Sequence, residues 1–145
     1  MESTLHQPAL VAARTTTKAG TIIYWIATAL FCLEMGFTAW YMLFRLPEGA
    51  QVITRLGFPS YFRIELACAK LIGAVVLLAP VPARLREWAY AGFAINLASA
   101  LIAHLSMGDG PDALAPSTLT SVLWALSYFF WRRRQATPAI SDTTR

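Results

Sequence analysis

Apolar residues dominate four stretches of this chain, and polar or turn-forming residues separate them. The first stretch spans Ala19 to Phe44 and is interrupted only by Glu34. The others run from about Tyr61 to Leu78, Trp88 to Leu105 and Leu114 to Trp131. None carries a charged stripe at helical spacing, as the solvent face of a soluble helix would. A bilayer core takes about 20 apolar residues per helix, with a range of about 17–25. The pattern therefore predicts an all-α fold, an integral membrane four-helix bundle, with helices at about 19–44, 60–79, 86–105 and 114–131. Polar tails, 1–18 and 132–145, flank this domain. The stretch "RLPEGAQVITRLGFPS" carries Pro and Gly at both ends, and "SMGDGPDALAPS" places turn chemistry at Gly108–Pro111.

Composition strengthens the membrane reading. The 145 residues, one domain's worth, are 57% hydrophobic and 14% charged, where a soluble domain carries about 25% charged residues. The first apolar run is much longer than the roughly 7–15 residues of a signal-peptide core, and no A-x-A-like site follows it. Basic residues set the orientation. Arg14, Lys18, Arg84, Arg86, Arg132, Arg133, Arg134 and Arg145 all fall on one side of a four-span chain, which predicts that both termini are cytoplasmic (N-in/C-in). The aromatic residues agree: Tyr24, Trp25, Trp88, Tyr90, Tyr128 and Trp131 fall at expected inner ends, and Trp40, Tyr41 and Tyr61 at outer ends. The net charge of +4 is thus a topology signal. It does not point to nucleic acid, whose binding needs basic residues gathered on one folded face.

Candidate chemistry lies in the ionisable residues inside the apolar stretches. Each costs at least about 2.5–3.5 kcal/mol in hydrocarbon, so such groups normally face inward and pair. Glu34 stands ten residues before Phe44, and Lys70 ten residues after Ser60. At 1.5 Å per residue, both lie about 15 Å below the outer ends of their helices. Asn96 is near mid-depth, while Arg63, Glu65 and His104 lie nearer the outer surface. Arg63 and Lys70, seven residues apart, share a helix face, and Glu65 points away from it. Two readings fit: a structural Glu34–Lys70 ion pair with snorkelling at the rim, or an outward-opening polar pocket lined by Glu34, Arg63, Glu65, Lys70, Asn96 and His104.

No catalytic set emerges. His104 has no partner at metal-ligand spacing. Cys32 and Cys68 are isolated, without the C-x-x-C that thiol–disulfide exchange needs. No phosphate loop or Ser-His-Asp set is present.

Several motifs together resemble a known family. These are "LGFP" at Leu56–Pro59, the E-x4-K-L-x-G-A pattern from Glu65 to Ala74, "EWAYAGF" at Glu87–Phe93 and "AHLSMGD" at Ala103–Asp109. In this set the chain resembles the DoxX-like family of small four-helix membrane proteins, from about Tyr24 to Trp131. The resemblance implies a compact four-helix bundle in a bacterial cytoplasmic (inner) membrane. It supplies no catalytic residue set. It also implies two functions: an accessory or assembly partner of another membrane protein, or the membrane subunit of a redox enzyme that binds a quinone or small lipophilic ligand. The first is preferred, because the sequence has no cofactor ligand set and no nucleophile–base pair; no cofactor is evident, and quinone belongs to the second. Expected partners are the lipid bilayer and another membrane protein or a second copy, with no nucleic acid. Four helices leave little room for alternating-access transport.

Overall fold

The structure, a computed structural model, describes residues 18–44, 51 and 53–136. The N-terminal tail, most of the C-terminal tail and part of the first connection lie outside the described residues. Four long helices carry the fold: α1, Lys18–Phe44; α2, Phe62–Leu78; α3, Ala83–Ser106; and α4, Pro111–Gln135.

Local chemistry accounts for the helix ends. Pro80 disfavours helical backbone at the residue before it, and Ala79 is extended at ψ 154°, which stops α2. Arg86 donates across this short connection to the Ala79 carbonyl at 2.7 Å, neutralising an acceptor freed at the helix end. Gly108 turns the chain after α3 at φ 68°, a conformation that favours glycine. Pro111 then opens α4, where the missing N–H costs nothing. The fourth helix does not stop at the expected 131. Arg132, Arg133 and Arg134 form its last turn, where cations oppose the negative end of the helix dipole and no proline intervenes before Pro138.

The helices close a ring in which α1 packs on α2 and α4, and α3 packs on α2 and α4. Phe31, Leu77, Tyr90 and Trp131 are among the side chains that fill its centre. Outside, the bundle is apolar: Leu33, Trp88 and Ile95 are among many exposed large side chains. Three helices, α1, α3 and α4, are long and apolar enough to cross a membrane. Helix α2 has 17 residues and includes three ionisable groups.

Candidate functional site

Between α2 and α3 lies a cavity of about 950 Å³, backed by α1 and touched by α4. Roughly 300–1,000 Å³ is the usual size of a small-molecule site. Its wall is mostly hydrocarbon, from Leu85 and Trp88 at one end to Phe58 and Phe62 at the other. Between α2 and α3 the Phe93 ring rests on Gly73; a Cβ at Gly73 would lie 2.7 Å from two ring carbons. Phe93 is braced behind by Phe31, edge to face at 4.9 Å.

The polar residues named from sequence divide into two groups. Glu34, Lys70, Asn96 and His104 line the cavity; Arg63 and Glu65 do not, and their place in a common pocket is corrected accordingly. Arg63 is buried and donates to the Met42 carbonyl in the last turn of α1. There its cation opposes the negative end of the helix dipole. Glu65 is exposed in the first turn of α2, where a negative charge suits the dipole's positive end.

The expected Glu34–Lys70 ion pair is also corrected. Lys70 Nζ donates to Thr38 Oγ1 at 3.3 Å, and Thr38 passes its own proton to the Met35 carbonyl at 3.1 Å. Thr38 stands one helical turn beyond Glu34, so packing places Lys70 about 5.4 Å further along α1 than its carboxylate partner in the depth reading. Glu34 is the acidic group whose charge bears on Lys70, but its carboxylate receives Thr120 of α4 instead. Thr120 Oγ1 also lies 2.8 Å from the Pro116 carbonyl, so its single proton has two acceptors. Asn96 makes no hydrogen bond to another described residue and keeps its amide for the cavity.

Sequence reasoning missed the two threonines; Thr38, at i+4 from Glu34, was within reach of helical spacing. It also missed what holds His104. His104 Nδ1 lies 2.7 Å from Asp109 Oδ2, and Arg55 donates to Asp109 Oδ1. The His104 hydrogen bond, then the Arg55 charge, holds the Asp109 carboxyl below its ordinary range. This clamp ties the turn that carries Ile53 and Leu56 to the end of α3, and both of those side chains line the cavity. Among the described residues, no group of three His, Cys, Asp or Glu side chains could hold a metal. Cys32 is buried and Cys68 exposed, both free.

An all-helical chain with an apolar exterior and three helices of membrane-crossing length defines a small membrane protein. The chain matches the DoxX-like family over residues 26–126 and belongs to it. No curated protein and no solved structure gave a significant match.

Proposed function

We propose that this is a four-span protein of the bacterial cytoplasmic membrane, both termini cytoplasmic, that serves as a non-enzymatic accessory to another membrane protein. Its task in that role is to hold a small lipophilic ligand in the cavity between α2 and α3. The observation that carries this reading is the cavity itself: mostly hydrocarbon walls between α2 and α3, into which a few polar side chains such as Glu34, Lys70, Asn96 and His104 are set. Side chains such as Ile72 and Ile95, exposed on the two flanking helices, favour loading from the bilayer rather than from the outer aqueous side.

A second reading, the membrane subunit of a redox enzyme holding a quinone, is favoured by the hydrogen-bonding groups at the cavity wall. One experiment addresses both. Purification in mild detergent, followed by organic extraction and mass spectrometry, should recover a bound lipophilic compound. Gly92 lines the cavity and a Cβ there meets nothing within 4 Å, so Gly92→Phe should fill the space and abolish retention. Equal retention by the variant would sink the reading, and a stoichiometric quinone would move it to the redox subunit. Reporter fusions at Arg145 and within Gly108–Pro111 should lie on opposite sides of the membrane. Fusions on the same side would refute the topology.

A further inference from the structure

The polar groups in the cavity say what kind of head group it accepts. Its titratable side chains are Glu34, Tyr41, Lys70 and His104. Tyr41 offers a phenol hydroxyl, and His104 is tied to a carboxylate, Asp109, at the α3 end of the bundle. Glu34 and Lys70 remain, with opposite formal charges, one helical turn apart along α1. Their formal charges sum to zero. An ionic head group would thus enter hydrocarbon without a net opposing charge, a transfer that bilayers strongly penalise.

What the wall does offer is capacity for neutral hydrogen bonds. Lys70 has donors to spare beyond Thr38. Glu34 has acceptor sites beyond Thr120. Asn96 offers both a donor and an acceptor. A hydroxyl group, which donates once and accepts as well, matches these three side chains together. The apolar wall from Trp88 to Phe62 leaves room for its chain.

We infer that the cavity selects an uncharged long-chain amphiphile with a hydroxyl head over its anionic and cationic counterparts. This inference rests on the ligand-holding reading above and specifies its ligand class.

The test offers purified full-length protein equal amounts of hexadecanol, hexadecanoate and hexadecylammonium, and native mass spectrometry counts what is retained. The wild type should retain the alcohol about a hundredfold over either ion, the scale of one unfavourable charge transfer. Lys70→Met leaves an uncompensated carboxylate and should turn the preference toward hexadecylammonium. Glu34→Gln leaves an uncompensated ammonium and should turn it toward hexadecanoate. If a variant does not fold, the wild-type ranking decides alone. Preference of the wild type for either ion, or a ranking that neither folded variant alters, overturns the inference and leaves the ligand-holding reading standing. Retention of none of the three overturns that reading and the inference with it.

Discussion

The seam between α1 and α4 and the seam between α2 and α3 are opposite sides of one bundle, yet they are closed by different means. At the first, Ser127 is fully buried and shares hydrogen bonds of 2.7 Å with both Thr28 and Tyr90. Beside it, α4 is also held to α3, where Trp124 donates to the Tyr90 carbonyl at 3.1 Å and stacks on Tyr128. Small hydroxyl residues let these helices approach, and Ser127 joins the Thr28 and Tyr90 hydroxyls, whereas the buried Tyr24 hydroxyl and Trp131 Nε1 find no hydrogen-bond partner among the described residues. At the second seam a phenyl ring rests on a glycine, and a cavity opens between the helices. The lesson is that polar residues in this bundle do two jobs. Where they are small and mutually satisfied they lock helices together, and where they are long or unmatched they face a space.

The comparison breaks most visibly at Ser127. Ser127→Leu overpacks the tight seam, at about 1–3 kcal/mol, and orphans the Thr28 and Tyr90 hydroxyls, at about 1–3 kcal/mol each. Thermal unfolding in detergent should register a loss of about 3 kcal/mol or more. Asn96→Leu, on the open seam, should change stability by no more than about 1 kcal/mol. Equal losses would mean that the two seams do not differ in packing.

Gly73→Ala probes the ring-on-glycine contact of the open seam. Displacing the Phe93 ring costs about 1–3 kcal/mol, while alanine's better helix propensity offsets about 1 kcal/mol. A net loss of about 1 kcal/mol is expected, because the cavity gives the ring somewhere to go. A loss as large as that of Ser127→Leu would show a seam as rigid as its opposite.

A double-mutant cycle of Glu34→Gln and Lys70→Met sharpens the distinction between locking and lining. A directly paired buried couple loses about 3–5 kcal/mol when one partner goes. With Thr38 and Thr120 taking the near contacts, the coupling between the two positions should stay below about 1 kcal/mol. A larger value, from the four melting curves, would mean that the side chains meet.

The smallest effect is at the clamp beside the cavity. The Asp109 carboxyl is held below its ordinary value of 3.8, first by His104 and then by Arg55. A depressed carboxylate stabilises the fold above the unfolded value and loses that contribution as pH falls through the lower folded value. Hydrogen exchange at the Asp109 amide, which donates to the His104 carbonyl at 3.1 Å, should therefore accelerate below pH 3.8 relative to an Asp109→Asn control. Parallel pH profiles would remove the clamp's carboxylate from the account.

Much of this fold was legible as hydropathy, because apolar length and bracketing Pro and Gly determine where a helix must start and stop. The extension of α4 through Arg134 was not: arginines after an apolar run read equally as a tail or as a last helical turn. The shared face of Arg63 and Lys70 followed from spacing within α2, which backbone geometry sets. The relation of Lys70 to Glu34 did not, because it depends on how one helix slides along another. That register is decided by contacts such as the one from Cys32 Sγ of α1 to the Ala74 carbonyl of α2, at 3.8 Å. Depth measured from helix ends was off by one turn, and one turn separates an ion pair from two threonine contacts.

The shortness of α2 has a consequence for the surrounding lipid. Its 17 residues reach about 25 Å, whereas the 27 residues of α1 reach about 40 Å. In a four-span arrangement, hydrocarbon about 30 Å thick must thin where it meets α2 and need not thin elsewhere on the bundle. The thinned sector lies beside the cavity mouth. Under the proposed four-span arrangement acyl chains there would be compressed and splayed, so a guest leaving the bilayer at that point would give up less cohesion than one leaving elsewhere on the perimeter. Hydrophobic mismatch on one side of the bundle would then serve as a local entry ramp, and thicker membranes would steepen the deformation around it.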